Sequence, residues 1–425
     1  MRGNGRILSN QNITQKEITL PNRRDELLKQ CSDLAENPYI LGQLSGHLRE
    51  HGFAGSTNNP LMVYLSTLTR MFDDPVSAVI KGRSSSGKSF ALHAGLRYVP
   101  DAAYHLLHGL SSKSLLHAAK HNLKNRFLII QEAAGFGSEG WPFLRQMLTE
   151  GKLNYMTVKQ TREGHEGAVL ATVEGPMGVL MTTTQASLHG EEETRLLSLY
   201  ADQSPEQIRE ALMMNARKSI RPTPEDLSRW HALHDWVCSG NTSVEIPYVE
   251  TLLSKLPTSY PRVLRDTPKL IALIRAHAML HQMSRDCRAG SIIATFEDYA
   301  SVYPLVEEAL SNGLKASVPR HIAEVVNAVC ELHRLFAGSV SQRDVADYLR
   351  QDQGNVSRNI STAVEEGFVE NKNPGQGRVH EYVPGKRELP SSSVLPTPQE
   401  LETAYAKLSQ HRPIKHDHEE LMPTW

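Results

Sequence analysis

Residues 82–89 read Gly-Arg-Ser-Ser-Ser-Gly-Lys-Ser and match the spacing G-x-x-x-x-G-K-[ST]. Glycines at these positions let backbone N–H groups wrap around a phosphate chain at the beginning of a helix. The side chain of Lys88 then reaches the terminal phosphates, and the hydroxyl of Ser89 binds Mg²⁺. The spacing therefore predicts a site for a nucleoside triphosphate and Mg²⁺. We expect its binding residues to be Gly82, Ser84, Ser85, Ser86, Gly87, Lys88, Ser89 and Phe90.

The carboxylate of Glu132 lies just after an apolar run of four residues. Residues 127–130 read Phe-Leu-Ile-Ile, which predicts a buried strand, and Gln131 and Glu132 follow it directly. Hydrolysis of a triphosphate needs an acid here to orient the attacking water and to hold Mg²⁺. Glu132 is our candidate for catalysis and for holding Mg²⁺ through water. Gln131 is a neutral substitute near the metal where an aspartate is usual, which argues against fast hydrolysis but not against nucleotide binding.

Polar residues also follow a third apolar run, residues 178–181 (Gly-Val-Leu-Met). Thr182, Thr183 and Thr184 place hydroxyls at its end, and we take Thr183 as the polar group that contacts the terminal phosphate or the water. Strand ends also carry threonine for its β-propensity alone. Arg195 is our candidate for an arginine that reaches the site of a neighbouring subunit and stabilises transition-state charge. The alternative for Arg195 is a surface salt bridge with the glutamates that precede it.

The composition sets limits on the class of protein. The 425 residues include 46 Lys and Arg and 47 Asp and Glu, so the net charge of −1 gives no overall attraction to nucleic acid. The four cysteines are scattered without metal-ligand spacing, which is typical of reduced thiols in a cytosolic protein. We find no apolar run long enough for a membrane span and no signal sequence, so we expect a cytoplasmic protein without a membrane partner.

The elements that must position these residues form an α/β pattern. Continuous apolar runs such as residues 76–80, 127–130 and 178–181 are typical of parallel strands that are buried on both faces. Helical spacing dominates elsewhere. The expected division is an N-terminal helical region (1–60), a nucleotide-binding core (61–203), a helical lid and connector (204–319), a small C-terminal unit (320–386) and a disordered or partly helical tail (387–425).

The order of these parts resembles AAA+ ATPases of the clade with a β-hairpin before sensor 1, which contains the minichromosome-maintenance and superfamily 3 helicases. Residues 143–151 read as the helix after the acidic strand, and residues 152–174 as the hairpin. The chain looks closest to the helicase portion of phage and mobile-element primase–helicases, through segments such as 110–115, 182–184 and 193–195.

The resemblance implies a P-loop NTPase fold, an AAA+-like parallel sheet with helices on both faces and a helical lid, which binds ATP and Mg²⁺ in a homo-oligomer, most often a hexamer. It also implies that a single DNA strand occupies the channel of the ring, in contact with Lys159 and Arg162 of the hairpin. Arg265 (or Arg262) would be the sensor-2 arginine that contacts the nucleotide from the lid. Primase and zinc-binding modules are missing from the pattern, so priming activity is not implied.

The C-terminal unit has the pattern of a winged helix–turn–helix, which predicts contact with duplex DNA. Residues 341–344 fit a capping box, and the third helix turns polar side chains and Arg358 outward. Lys372 and Arg378 lie at the tip of the expected wing. Residues 338–386 contain six Lys and Arg against seven Asp and Glu, so a protein-docking role is the alternative.

The sequence as a whole favours an ATP-dependent DNA helicase or translocase that acts in replication of a phage or mobile element, with a primase or another replication protein as a possible partner. The main alternative is an ATP-dependent switch or loader that binds DNA and recruits partners without unwinding. An NTPase effector in phage defence is a third interpretation.

Overall fold

The computed structural model describes residues 22–107, 123–133, 140–161, 164–186, 188, 193–220, 226–375, 377–390 and 393–411. Arg162 and the segment 110–115 lie outside the described residues. In the described part of the chain, no helix is both long enough and apolar enough to cross a membrane.

The strands and the helices of the described chain are numbered separately, each in chain order. The strands are β1 (Ala78–Lys81), β2 (Tyr104–Leu107), β3 (Arg126–Ile130), β4 (Lys152–Thr161), β5 (Gly164–Glu174), β6 (Met177–Thr183), β7 (Leu197–Tyr200), β8 (Val244–Glu245), β9 (Cys287–Arg288), β10 (Ser291–Ile293), β11 (Val369–Asn371) and β12 (Tyr382–Pro384). The helices are α1 (Arg23–Ala35), α2 (Ile40–Glu50), α3 (Asn58–Leu68), α4 (Lys88–Leu96), α5 (Gly140–Glu150), α6 (Pro205–Ile220), α7 (Ser228–Cys238), α8 (Val249–Ser254), α9 (Val263–Leu280), α10 (Phe296–Ala316), α11 (Arg320–Phe336), α12 (Gln342–Leu349), α13 (Gln353–Glu365) and α14 (Pro398–His411).

A five-stranded sheet in the order β2-β3-β6-β1-β7 forms the centre of the fold, and every adjacent pair is parallel. The apolar runs at residues 127–130 and 178–181 lie in β3 and β6, as predicted. The run at residues 76–80 supplies β1, which begins at Ala78. The expected α/β class, with a parallel sheet and surrounding helices, is therefore confirmed. Because the strands are parallel, their carboxyl ends meet at one edge of the sheet, where ligands bind in such folds.

Alternate residues of the strands face two different hydrophobic cores, as the pleat of a strand requires. Ile80 packs into the larger core, together with residues of α1, α2, α3, α7, α9 and α10. Val79 faces the opposite side and packs into a smaller core that includes Met147 of α5. The larger core includes described residues from each of the expected segments 1–60, 61–203 and 204–319.

A separate antiparallel pair, β4 (residues 152–161) and β5 (residues 164–174), lies where the sequence predicts a hairpin. Lys152 pairs with Glu174 at its base, and the register shifts between Tyr155 and Met156. Helix α5 precedes the pair and contacts β4. The backbone of Lys159 belongs to β4, whereas its side chain lies outside the described residues.

Helices α11, α12 and α13 and the pair β11–β12 surround a third hydrophobic core at the C-terminal side. The predicted capping box is present: Asp344 N donates to Ser341 Oγ at 3.2 Å, and Ser341 N donates to Asp344 Oδ2 at 2.9 Å. Val356 and Ile360 of α13 are fully buried, so the opposite face of that helix is the one turned outward.

Helix α14 lies in the tail that the composition predicts to be disordered or partly helical. Its Leu401 is fully buried in the larger core, next to the buried Leu395. The Tyr299 hydroxyl of α10 donates to the Pro396 carbonyl at 2.6 Å. Residues 395–401 are therefore packed onto the helical part of the fold.

Candidate nucleotide-binding site

The glycine loop (residues 82–87) joins the carboxyl end of β1 to the first residue of α4. Ser85 and Gly87 adopt left-handed backbone conformations, with φ of 64° and 81°. Gly87 is the residue immediately before α4, so the loop turns sharply into the helix. A Cβ atom on Gly82 would lie 2.6 Å from Ser86 Oγ, so only glycine fits at that position without a shift. Steric constraints within the loop therefore explain why glycine occupies positions 82 and 87 of the motif.

Lys88 folds back over this loop. Its Nζ donates to the Arg83 carbonyl at 2.7 Å, and the residue is only 6% exposed. The Ser86 hydroxyl is buried and has no hydrogen-bond partner among the described residues. Ser84, Ser85, Ser89 and Phe90 are exposed. The loop thus presents hydroxyls to solvent around a buried lysine at the beginning of a helix, an arrangement suited to an anion.

Glu132 is fixed at the ends of two strands. Its backbone is left-handed (φ 57°), and its N–H donates to Thr182 Oγ1 at 3.0 Å. Its carboxylate Oε1 accepts from the backbone N–H and the hydroxyl of Thr184, at 3.2 and 3.1 Å. The exposed carboxylate therefore lies beside β6, whose Thr183 carbonyl accepts a hydrogen bond from Gly82 N at 3.3 Å.

The three threonines of the predicted sensor group occupy different environments. Thr183 is fully buried, and its Oγ1 accepts from Gln185 N at 3.1 Å. Thr184 is exposed and contacts Glu132 directly. The hydroxyl that contacts the Glu132 carboxylate is thus that of Thr184 rather than that of Thr183, whereas the hydroxyl of Thr182 accepts from the Glu132 backbone N–H.

Gln131 lies against the helix that follows the glycine loop. Its side-chain Nε2 is hydrogen-bonded to Nε2 of His93 in α4. His93 follows Ser89 by four residues, so the two share one face of the helix. The helical spacing from Ser89 was a signal for His93 that the sequence prediction did not use.

Arg195 and Arg265 each donate a hydrogen bond to a threonine hydroxyl in or beside the segment 193–195. Arg195 Nη1 donates to Thr149 Oγ1 at the end of α5, and Arg265 Nη1 donates to Thr194 Oγ1. Lys269 of α9 donates to the Thr194 carbonyl at 2.9 Å. Burial is the main cause that lowers the pKa of Lys269, against the neighbouring Asp266, which raises it. Neither predicted arginine contacts the glycine loop in the hydrogen bonds of the described residues.

A buried ion pair anchors the same segment to the central sheet. Lys81 Nζ, directly before the glycine loop, contacts Glu193 Oε1. The other oxygen, Oε2, accepts from Leu188 N at 2.9 Å, and Oε1 also accepts from Ser198 Oγ at 3.2 Å. The sequence analysis did not predict this pair, because it considered the glutamates before Arg195 only as surface partners of that arginine.

A cleft of about 970 Å³ opens beside the glycine loop. Its walls come from the loop before α3, from residues 198–203 and from α6 and α10. The ring of Phe90 stacks on that of Phe53, with centroids 5.4 Å apart and an interplanar angle of 3°. Phe90 is half exposed, so the pair gives the cleft a flat apolar wall next to the glycine loop.

Oxygen donors for a metal are available at the predicted position. Ser89 offers an exposed hydroxyl and Glu132 an exposed carboxylate, and Mg²⁺ prefers oxygen ligands from one or two protein groups plus phosphates and water. In the described part of the chain, no group of three or more His, Cys, Asp and Glu side chains could hold a metal ion without such help.

The three residues that are predicted to contact DNA in the C-terminal unit are exposed, and each has a polar contact with a residue close to it in the sequence. Arg358 Nη2 donates to Asn355 Oδ1 on α13. Lys372 forms an ion pair with Glu370 at 2.7 Å, with both side chains about half exposed. The Arg378 guanidinium is 3.5 Å from Asn373 Oδ1.

Comparison with known proteins adds no family to this description. A scan of protein-family models found no match for the chain, and a search of the curated proteins found none either.

Proposed function

We propose that this chain is a P-loop ATPase of the AAA+ type that acts as a DNA helicase or translocase. The observation that carries the nucleotide part is the glycine loop. Its left-handed Ser85 and Gly87, its buried Lys88 and the beginning of α4 lie at the carboxyl edge of a parallel sheet. Backbone N–H groups at such a helix start are a ready site for phosphate.

The cleft beside the loop supports a nucleotide rather than a bare anion. Its volume of about 970 Å³ is ample for a nucleoside triphosphate. The stacked rings of Phe53 and Phe90 offer a flat surface on which a base can pack. The hydroxyl of Ser86, buried without a partner among the described residues, is a further donor for a ligand oxygen.

The chemistry that these residues can perform is transfer of the terminal phosphoryl group to water. Bound Mg²⁺ supplies positive charge against the phosphates. Lys88 would leave the Arg83 carbonyl and donate to phosphate oxygens instead. The Glu132 carboxylate, oriented by Thr184, would accept a hydrogen bond from the attacking water and take its proton as the new P–O bond forms. The bond between the terminal phosphorus and the bridging oxygen would break at the same time, so that ADP leaves with that electron pair and inorganic phosphate is the second product.

The oligomeric part of the proposal concerns Arg195 and Arg265. Within one subunit both side chains are held by threonine hydroxyls, Thr149 and Thr194 respectively. We propose that Arg195 exchanges Thr149 for a phosphate of the neighbouring subunit in a ring, and that Arg265 approaches the nucleotide from α9. An arginine provided across subunits accelerates such reactions strongly.

The DNA part of the proposal concerns two hairpins. The antiparallel pair β4–β5 carries Lys159 and stands apart from the central sheet, which is suitable for gripping a strand in a channel. The unit α11–α13 with β11–β12 has the element order of a winged helix, with Arg358, Lys372 and Arg378 on its surface. These charges would neutralise phosphates of duplex DNA.

Three measurements test this proposal. Lys88→Ala should abolish ATP binding measured with a fluorescent ATP analogue, whereas Lys124→Ala, outside the site, should leave it unchanged. An unchanged affinity in Lys88→Ala would remove the nucleotide assignment. A forked-DNA unwinding assay with ATP, combined with light scattering in the presence of DNA, then tests the motor, which requires both unwinding and a ring.

A non-translocating ATP switch is the second candidate function. The observation that favours it is the neutral Gln131–His93 pair at the position of the usual aspartate, since a site without that charge suits slow turnover. ATP-dependent ring formation with no strand separation would favour the switch.

A further inference from the structure

We infer that His93 is a positioning residue, which orients the Gln131 amide so that its carbonyl oxygen accepts hydrogen bonds from water bound to Mg²⁺. The inference rests on the proposed nucleotide site. It gives the neutral Gln131 a definite role, and it adds a residue that the motif itself does not contain.

The first step is the location of the pair. Gln131 directly follows β3, and the neighbouring Glu132 is tied to Thr182 and Thr184 at the end of β6. His93 lies one helical turn after Ser89 on the same face of α4. The pair therefore stands between the helix that offers the metal-binding hydroxyl and the strand end that offers the carboxylate.

The second step is the direction of the hydrogen bond. An amide nitrogen carries only protons to donate, so Gln131 Nε2 donates and His93 Nε2 accepts. With the amide nitrogen committed to the imidazole, the amide oxygen is directed to the other side.

The third step is the requirement of a hydrated metal. Water coordinated to Mg²⁺ uses its oxygen on the metal and directs its protons outward, so groups around it must accept. A carboxylate accepts through either oxygen and needs no orientation. An amide accepts through one atom only, and rotation by 180° would present N–H groups to the same water. A glutamine can therefore replace an aspartate here only if a neighbour fixes its rotation, and His93 is that neighbour.

The test is the dependence of ATP binding on Mg²⁺, measured with a fluorescent ATP analogue in EDTA and across a Mg²⁺ titration. His93→Met removes the acceptor without adding charge, and we expect it to raise the half-saturating Mg²⁺ concentration about tenfold, the lower end for residues that orient metal ligands. Binding in EDTA should stay within about twofold of the unmodified protein, because no metal is then involved.

A double-mutant cycle separates orientation from simple packing. In a Gln131→Glu background, which has the same shape but only acceptor oxygens, His93→Met should change the half-saturating Mg²⁺ concentration less than about threefold. A packing role for His93 would instead weaken binding equally with and without Mg²⁺, in both backgrounds, and that result would overturn the inference.

Two controls keep the outcome decisive. If His93→Met does not unfold cooperatively, Gln131→Met replaces it, with the same tenfold increase expected, about the size of other losses around a metal; an unchanged Mg²⁺ requirement overturns the inference. If ATP does not bind, or if Lys88→Ala binds it normally, the proposed function itself fails. Lys88-dependent binding with an unchanged Mg²⁺ requirement in His93→Met refutes the role of His93 alone.

Discussion

The ion pair between Lys81 and Glu193 offers the sharpest test of how the core is stabilised around the glycine loop. Lys81 ends β1, and Glu193 begins the segment that carries Thr194 and Arg195. The side chains are only 2% and 10% exposed, so neither charge is screened by much water. We consider three variants: Glu193→Ala, Lys81→Met and the double substitution.

The expected magnitudes follow from what each variant leaves behind. Glu193→Ala leaves a buried ammonium without its carboxylate and leaves Leu188 N and Ser198 Oγ without their acceptor. We therefore expect the free energy of unfolding to fall by about 3–5 kcal/mol. Lys81→Met leaves the carboxylate with those two donors, so a smaller loss of about 1–3 kcal/mol is expected. The double variant buries no charge at this position and should be more stable than Glu193→Ala alone.

The assay is urea unfolding followed by the fluorescence of the buried Trp230 and Trp236. The exposed pair Arg320–Glu324 provides the matched control, because its side chains are 92% and 38% exposed at 2.8 Å. Arg320→Ala should change the free energy of unfolding by less than about 0.5 kcal/mol.

One result would refute the reasoning. If the double variant loses the sum of the two single losses to within about 0.5 kcal/mol, the two side chains are not coupled. The contact between the two charges would then contribute nothing to the free energy of unfolding, although both side chains are buried.

Three further predictions concern pH and packing. Burial is the main reason that the pKa of His281 falls to about 3, so the unfolded state binds more protons than the folded state between that pH and 6.5. This histidine alone should lower the free energy of unfolding by about 2 kcal/mol at pH 5 relative to its value well above pH 6.5. His281→Asn should therefore reduce the pH dependence measured in urea titrations, and the buried His234, whose pKa is also lowered by burial, should account for part of what is left. Leu401→Ala should lower the free energy of unfolding by about 2–5 kcal/mol in the same assay, because its side chain is fully buried. Leu408→Ala, on the exposed face of α14, should lower it by less than about 0.5 kcal/mol. Equal losses would mean that α14 is not docked. Gly178→Ala should lower the melting temperature, at a cost of about 1–3 kcal/mol, because its Cβ would lie 2.2 Å from the Phe127 ring; an unchanged transition would show that this ring moves freely.

Much of the fold was predictable because its signals are local. Continuous apolar runs identified β3 and β6, and alternation with a turn identified the β4–β5 hairpin. The capping box at Ser341 lies within four residues of sequence, so its geometry is set by the helix that it begins. The tail was harder, because the docking of Leu401 depends on partners in α10 that its own composition does not show.

The sequence by itself determined the candidate phosphate site, because the glycine loop needs only its own eight residues and the strand and helix beside them. Tertiary structure alone decided which side chains surround it. Gln131 meets His93 across 38 residues, and Lys81 meets Glu193 across 112. Those contacts depend on strand order and register, and the left-handed backbone of Glu132 depends on where its strand ends. Residue spacing encodes short-range backbone geometry, whereas partners from distant segments are fixed only when the sheet assembles.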